Sequence, residues 1–348
     1  MKAITVHPGV ANSVTLSDVD PPESDDRMLL VQSLSLGVCG TDREIIEGLY
    51  GSAPKGEERL ILGHESLGRV VEAPRGSAIV AGDLVVGLVR RPDPVLCPNC
   101  AAGEWDMCRN GQFTEHGIKD RHGFGAELWR IEPDRVVRVD PRLGALGVLL
   151  EPASVLAKAW EHIERIGGRA VWEPERVLVT GAGPIGLLAA LMARQRGYEV
   201  DVLDQHTDGP KPQLVADLGA TYHLNGVAGI PHRADVTLEC TGAAQLVFDV
   251  MSQSGHGAVV CLTGVSSGQR TLSVDINSLN RSMVLENDVV FGTVNANRRH
   301  YELAADALTR ADRSWLERII MRRVPLENWR EAFERRQGDV KTVIEFGI

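Results

Sequence analysis

The chain has 348 residues, a length typical of two domains or of one large α/β unit. Hydrophobic residues make up 43% of it and charged residues 24%, which are ordinary globular values and exclude a disordered or fibrous chain. The formal net charge of −10 argues against a nucleic-acid partner or an anionic membrane surface, because both require a basic protein surface. No apolar run approaches the length of a transmembrane helix and the first residues alternate like a β-strand, so we expect a cytoplasmic protein.

The hydrophobic pattern changes near residue 150. Before it, short alternating or apolar stretches are broken by Gly, Pro and Asp, which indicates β-structure with loops. After it, strand and helix patterns alternate, which predicts an α/β fold with a parallel, doubly wound sheet and ligands at the carboxyl ends of its strands. The predicted strands are 28–36, 68–72, 83–89, 135–139, 176–180, 199–204, 234–239, 258–262, 289–292 and 341–346. The predicted helices are 153–166, 184–195 and 245–253, with two more helical stretches after residue 295.

A glycine motif follows one of these buried strands and opens a helix. It consists of Gly181, Gly183, Pro184, Ile185 and Gly186 in a G-x-G-x-x-G pattern. Such a pattern in this position is typical of a dinucleotide site. The first glycine permits the tight turn, the second lets the backbone approach a pyrophosphate, and the third lets helix and strand pack closely. The free N–H groups at the start of the helix would then face the phosphates.

The next strand ends at Asp204, where a carboxylate can accept hydrogen bonds from the adenosine ribose and would repel a 2′-phosphate. Its neighbours Gln205 and His206 provide no arginine pair, so the sequence favours NAD over NADP. Two alternatives remain. Asp204 could simply cap a loop, or Lys211 or a protonated His206 could admit NADP.

Two Thr-Gly pairs end later strands of the same region. Thr241-Gly242 and Thr263-Gly264 are predicted to contact the ribose and the nicotinamide, because they lie where a doubly wound sheet binds its ligand. Either pair alone is also an ordinary turn signal, so a turn without a binding role is the alternative.

Residues of the types that bind zinc occur in glycine-rich segments of the first half. They are Cys39, the pair His64-Glu65, and Glu151 where the β-rich region ends. A thiolate, an imidazole and a carboxylate that leave one position open suit a Lewis-acid zinc, which binds an alcohol and acidifies it. Each residue alone has an ordinary structural role. Their occurrence beside a dinucleotide motif indicates an alcohol-oxidising site.

These motifs together resemble those of the zinc-dependent medium-chain dehydrogenases/reductases over essentially the whole chain. The motifs are 37–42, 63–65, the cysteine cluster 97–108, 151–152 and the glycine motif, in the order and spacing of that superfamily. Within it the chain is most similar to the glucose 1-dehydrogenase group, through 90–92, 112–118, 122–124, 292–295 and 341–346. The resemblance implies a GroES-like catalytic domain at 1–152, a Rossmann domain at 153–297, and a return to the first domain at 298–348. It also implies a substrate cleft between the domains and, by analogy, a homodimer or homotetramer.

The resemblance assigns roles to individual residues. It places Cys39, His64 and Glu151 on the catalytic zinc, with Glu65 beside them as an exchangeable or outer ligand, and it makes Thr41 the start of a proton relay. The implied substrate contacts are Thr41, Glu115, Glu151 and Asn295, and Asn295 is also an implied cofactor contact.

A second, structural zinc is also implied, but its ligand set is incomplete. The family pattern C-x2-C-x2-C-x7-C is matched here by Cys97, Cys100 and Cys108 as its last three positions, while Pro94 occupies the first. A tetrahedral structural site needs four protein ligands. Either Asp93 completes the site, or the three thiols carry no metal.

The function that these features predict is NAD(P)-dependent oxidation of a glucose-like aldose at C1, with the lactone as product. A dehydrogenase of another polyol, such as a cyclitol or sugar alcohol, would carry the same zinc and dinucleotide motifs. A catalytically silent relative that only binds a dinucleotide or a protein partner is disfavoured, because Cys39, His64 and Glu151 are all present.

Overall fold

The computed structural model describes residues 1–266 and 271–347. The chain forms two compact units. The first contains residues 1–154 together with the chain from 295 onward, and the second contains residues 155–294. The boundaries therefore follow residues 154 and 294, where the sequence predicted 152 and 297. No helix of the two described ranges is long and apolar enough to cross a membrane.

The first 149 residues are mainly β-structure. The strands are β1 (Lys2–Val6), β2 (Thr15–Asp18), β3 (Leu29–Gly37), β4 (Leu60–Ile61), β5 (Glu65–Glu72), β6 (Leu84–Gly87), β7 (Arg90–Arg91), β8 (Thr114–His116), β9 (Asp120–Arg121), β10 (Leu128–Ile131) and β11 (Val136–Arg138). Two short helices, α1 (Gly40–Ile46) and α2 (Pro98–Ala101), interrupt them.

Helices and strands alternate in the middle of the chain. The helices are α3 (Leu150–Gly167), α4 (Pro184–Gln195), α5 (Lys211–Asp217), α6 (Ala244–Ser252) and α7 (Ile276–Glu286). The strands are β12 (Arg176–Thr180), β13 (Glu199–Leu203), β14 (Thr221–His223), β15 (Val236–Glu239), β16 (Val259–Leu262) and β17 (Val289–Gly292). The last elements are α8 (Arg298–Arg310), α9 (Arg313–Ile319), β18 (Ile320–Pro325), α10 (Trp329–Phe333) and β19 (Lys341–Glu345).

The first unit is built around a mixed sheet with the strand order β11-β6-β5-β3-β19-β18, in which β10 also pairs with β3. The inward residues of β3 alternate, as a half-buried strand requires, so that Leu29 and Val31 enter a core that also holds Trp129 and Phe124. β19 lies between β3 and β18, which places the end of the chain inside this sheet. Two three-stranded sheets, β2-β1-β4 and β7-β8-β9, complete the unit.

The second unit is a six-stranded parallel sheet with the order β14-β13-β12-β15-β16-β17. Numbered within the unit, this order is 3-2-1-4-5-6, the doubly wound arrangement expected from the sequence. The order reverses between β12 and β15, so the loops after these two strands face each other at the carboxyl edge. In such sheets this switch point is where ligands bind.

Several elements of the structure were not predicted from the sequence, among them α5, β14 and α7 of the second unit. Another difference lies near the end of the chain. The two helices expected after residue 295 are present as α8 and α9, but β18 and the short α10 follow them. β18 begins directly after α9 and reads Ile320-Met321-Arg322-Arg323, in which two apolar residues precede two arginines instead of alternating with them. Its strand conformation comes from pairing with β19, a tertiary contact that no local pattern encodes.

Candidate active site

Three of the four predicted residues of the catalytic zinc site lie close together at the ends of neighbouring strands in the first unit. Cys39 is the N-cap of α1, two residues after β3 ends. His64 directly precedes the neighbouring β5, and Glu65 is its first residue. One ligand atom of each of these three side chains lies within 4.8 Å of the others. β3 and β5 pair with Gly37 opposite Glu65, so a strand register brings together residues that are distant in sequence.

A carboxylate that the sequence analysis did not single out orients the histidine. Asp42 is buried in the first turn of α1, and its Oδ1 lies 3.4 Å from His64 Nδ1. Its other oxygen, Oδ2, accepts a hydrogen bond of 2.8 Å from the Cys39 backbone N–H. With Nδ1 directed at this carboxylate, Nε2 of His64 is the nitrogen available to a metal, as in other carboxylate–histidine–zinc arrangements. Burial lowers the pKa of His64, but Asp42 and Cys39 outweigh it and hold that pKa well above its usual range.

A buried lysine, Lys341, balances the charge of Glu65. The Lys341 ammonium contacts the Glu65 carboxylate and donates a 3.0 Å hydrogen bond to the carbonyl of Val38. Lys341 and Glu65 are 1% and 2% exposed, so this is a fully buried ion pair. A Cβ on Gly37 would overlap the Glu65 carboxylate, which explains the glycine at the end of β3.

Glu151 lies buried in the first turn of α3, but the cluster of ligand atoms within 4.8 Å of one another does not include it. Burial raises its pKa to about 7 despite the opposing effect of His64, and the charges of Glu65, Lys341 and Asp42 also act on it. Thr41 is in the first turn of α1 with its Oγ1 3.9 Å from Cys39 Sγ. Thiolate, imidazole and carboxylate donors close together, with the imidazole oriented by a carboxylate, fit a zinc ion.

Two of the four predicted substrate contacts, Glu115 and Asn295, touch each other. Glu115 on β8 accepts a 2.9 Å hydrogen bond from Nδ2 of Asn295, a residue held at a positive φ of 60°. Arg90 on β7, directly opposite Glu115, forms a buried ion pair with it at 2.9 Å. The sequence analysis used Arg90 only as part of a family motif and did not foresee this pair.

The cysteines of the second predicted zinc site also lie together. The sulfur atoms of Cys97, Cys100 and Cys108 all lie within 4.8 Å of one another. Asp93 is buried beside them, with Oδ2 4.0 Å from Cys108 Sγ and Oδ1 accepting the N–H of Val95. Hydrogen bonds from the backbone N–H groups of Arg109 and Cys100 lower the pKa of Cys97 to about 6, whereas burial raises the pKa of Cys100 to about 11.

The glycine motif of the second unit has the backbone geometry that its sequence predicts. Gly181 has a φ of +85°, and a Cβ on Gly186 would overlap the Gly181 carbonyl oxygen. Apart from its chain neighbours, no atom of residues 1–266 and 271–347 lies within 4 Å of the Cβ position of Gly183, so the backbone there is open to a ligand. Pro184 and Ile185 form the first turn of α4, which begins at Pro184.

A cavity of about 410 Å³ adjoins this motif. Its lining includes the glycines 181 and 183 together with Asp204, Gln205, His206 and Thr241, all of which belong to the predicted cofactor contacts. Gly264 is not part of the lining, but it packs against the backbone of Thr241 and Gly242 so closely that it has no room for a Cβ. Buried Glu239 holds this turn together by accepting hydrogen bonds from Thr180, Thr241 and Gly242, a role that the sequence analysis missed. The signal available in the sequence was a carboxylate at the end of a buried strand.

Asp204 does not stand free in the cavity. Its Oδ2 accepts the N–H of Ala182 at 2.7 Å and the ammonium of Lys211 at 3.1 Å. Its Oδ1 accepts both the backbone N–H and Nδ1 of His206, at 2.9 and 2.5 Å. Burial raises the pKa of Asp204, but these hydrogen bonds outweigh it and lower that pKa to about 2. The Asp204 charge is therefore already compensated within the protein.

Comparison with known proteins places this architecture in a family. The model for the alcohol dehydrogenase GroES-like domain matches residues 25–141, and that for the glucose dehydrogenase C-terminus matches residues 144–346. A glucose 1-dehydrogenase of Methanocella arvoryzae is 40% identical over 100% of both chains, and one of Thermoproteus tenax is 38% identical over 99% of both. A structure of the Haloferax mediterranei glucose dehydrogenase with NADP, zinc and gluconolactone has a TM-score of 0.93 at 32% identity and covers 100% of both chains.

These matches confirm the predicted fold class, a GroES-like domain with a Rossmann-type parallel sheet. They do not support the predicted preference for NAD, because the Haloferax structure contains NADP. In this chain Lys211 and the hydrogen bonds to Asp204 offset the carboxylate charge, which weakens the repulsion on which that preference rested. The chain belongs to the glucose 1-dehydrogenase group of the zinc-dependent medium-chain dehydrogenase/reductase superfamily.

Proposed function

We propose that this protein oxidises glucose at C1 to the lactone with transfer of a hydride to NAD(P). The observation that carries the proposal is an intact cluster of Cys39, His64 and Glu65, with Glu151 beside it, in a chain similar over its whole length to glucose 1-dehydrogenases. The gluconolactone in the Haloferax structure supports the sugar and the product.

The residues of the first unit have distinct roles in this reaction. Cys39, His64 and Glu151 would hold the zinc, which when bound supplies the Lewis acidity that lowers the pKa of the anomeric hydroxyl. Asp42 keeps the His64 imidazole in position, and Lys341 holds Glu65 in place while balancing its charge. The Thr41 hydroxyl takes the proton of the anomeric hydroxyl and passes it outward, so that the hydride from C1 and this proton account for both hydrogens lost.

For the cofactor we propose that NADP is accepted as well as NAD. Asp204 would still mark the adenosine ribose position, but the Lys211 ammonium offsets its charge, which leaves a 2′-phosphate facing a cation as well as an anion. The remaining contacts would come from the first turn of α4 and from the turn at Thr241. Gln205 and Asn295 stay among the proposed cofactor contacts.

Three further expectations from the sequence stay proposals. The three cysteines with Asp93 would hold a second zinc, since four S and O donors suit a structural site. All six cysteines are free thiols, which favours the reducing conditions of the cytoplasm. The homodimer or homotetramer rests on family analogy alone.

The test is a rate assay with aldoses, cyclitols and sugar alcohols, each with NAD and with NADP, on protein whose zinc content has been counted by mass spectrometry. We expect rapid formation of reduced nicotinamide with glucose. Two zinc ions per chain would show that the cysteine site is filled, and one would show that it is not. Fully metallated protein that reduces neither cofactor with any aldose would overturn the proposal and direct the search to the other polyols.

A further inference from the structure

The contacts of the Glu115 carboxylate with Arg90 and Asn295 are all made by one oxygen, Oε1. Nε of Arg90 donates to Oε1 at 3.0 Å, a terminal nitrogen of the same guanidinium lies 2.9 Å from it, and Nδ2 of Asn295 donates to it at 2.9 Å. Within residues 1–266 and 271–347, no hydrogen bond reaches Oε2. Since the Glu115 side chain keeps 7% of its surface exposed, Oε2 is the acceptor that it can offer to a ligand.

The guanidinium of Arg90 is fixed from several sides. Its remaining nitrogen donates a 3.0 Å hydrogen bond to the backbone carbonyl of Asp106, and its Cζ lies over the Phe113 ring, 3.8 Å from the ring centroid. Asp106 is itself held, because its carboxylate accepts a 2.8 Å hydrogen bond from Asn297. A guanidinium that is stacked and bonded in this way has essentially one orientation, and it imposes that orientation on the carboxylate.

The amide of Asn295 has an equally fixed direction. Its Oδ1 accepts the N–H of Ala296 at 2.8 Å, which leaves Nδ2 directed at Glu115. Asn295 also adopts a left-handed backbone conformation, which asparagine tolerates better than most residues. Its Nδ2 is therefore already engaged by Glu115, so the two residues act as one unit toward a sugar.

We propose that Arg90 is a positioning and specificity-determining residue, which clamps Oε1 of Glu115 so that Oε2 alone recognises one sugar hydroxyl as a hydrogen-bond donor. This inference rests on the proposed oxidation of an aldose. An acceptor-only oxygen in a buried setting rejects a sugar that lacks the matching hydroxyl, because the oxygen is then left without a partner. The guanidinium itself need not touch the sugar.

The experiment compares wild-type protein with Arg90→Gln, Arg90→Lys and Arg91→Gln on glucose and its monodeoxy analogues. Arg91 is the matched control: it is as buried as Arg90 and bonds a carboxylate at 2.9 Å, but that carboxylate is Glu132. Circular dichroism and thermal melting establish that each variant is folded.

For Arg90→Gln we expect the KM for glucose to rise roughly 10- to 100-fold, the range for loss of a charge-assisted hydrogen bond, with the KM for the dinucleotide unchanged. Wild-type protein should reject one monodeoxy sugar by about 100-fold or more, and this rejection should largely disappear in Arg90→Gln. Arg90→Lys keeps the positive charge but lacks the two guanidinium nitrogens that contact Oε1 of Glu115, so its KM for glucose should be intermediate. It also tests the proposal if Arg90→Gln does not fold.

The controls separate the possible failures. Wild-type protein that oxidises no aldose would overturn both the proposed function and this inference. Active wild-type protein with unchanged KM and unchanged deoxy-sugar rejection in both Arg90 variants would overturn the inference alone. The same would follow if Arg91→Gln raised the glucose KM as much as Arg90→Gln, because the effect would then be structural.

Discussion

Replacement of Lys341 by methionine should destabilise the first unit by leaving the Glu65 charge buried without its partner. Methionine keeps most of the length and apolar surface of the lysine while removing its charge. Lys341 and Glu65 are almost completely inaccessible to solvent, so water cannot take over the role of the ammonium. Removing one member of a buried ion pair costs about 3–5 kcal/mol. The lost hydrogen bond to the Val38 carbonyl adds about 1 kcal/mol.

The second half of this test is the double variant Glu65→Gln with Lys341→Met, in which neither side chain carries a charge. Replacing a whole buried pair by neutral groups costs far less than breaking it, so the double variant should recover about 2 kcal/mol or more relative to Lys341→Met alone. Lys2→Met is the surface control, because the Lys2–Asp18 pair in the same unit has side chains that are 46% and 80% exposed. It should leave stability almost unchanged.

Urea unfolding of the chelator-treated protein, followed by circular dichroism, gives the free energies. Metal-free protein is used so that changes in zinc binding do not enter the comparison. Hydrogen exchange of the β3 and β19 amides assigns any change to the first unit. A Lys341→Met variant within about 1 kcal/mol of wild type, or a double variant no more stable than the single one, would refute the argument from the buried pair.

Three further predictions follow from the two sites. Cys39→Ala and His64→Ala should each abolish activity and remove one zinc ion per chain while the protein stays folded. Turnover, mass spectrometry and circular dichroism measure these three properties. Turnover near that of the wild type would contradict the zinc site. Lys211→Met should lower the NADP:NAD ratio of kcat/KM by roughly tenfold, because it unmasks the Asp204 charge, and an unchanged ratio would contradict that account. The depressed pKa of Asp204 adds stability above its unfolded pKa that is lost as the pH falls toward about 2. The wild type should therefore lose about 1 kcal/mol relative to Asp204→Asn between about pH 5 and about pH 3 in urea titrations, and parallel curves would contradict it.

The sequence alone predicted the fold class and most strands of the second unit's sheet, and it singled out the residues that we propose to be chemically active. Regular alternation of strands and helices predicted the parallel sheet, and the bounds of β12, α4 and β17 agree with the structure to the residue. The glycine motif was equally informative, because its conformational demands are local: Gly181 needs a positive φ and Gly186 needs the absence of a side chain. The zinc-ligand types were recognisable because the ability of a thiolate, an imidazole or a carboxylate to bind zinc is a property of the side chain itself.

Partnerships between charges could be decided only by the tertiary structure. Asp204 looked like a free ribose acceptor, but the fold surrounds it with Ala182, His206 and Lys211, which compensates its charge. Lys341 meets Glu65 only because β19 pairs with β3, across more than two hundred residues of sequence.

The clamp of Arg90 on Glu115 likewise requires the pairing of β7 with β8. The physical reason is general. A residue's chemical type and its backbone conformation depend mainly on the local sequence. The energy of a charged group depends instead on the partners and the amount of solvent that the fold places around it.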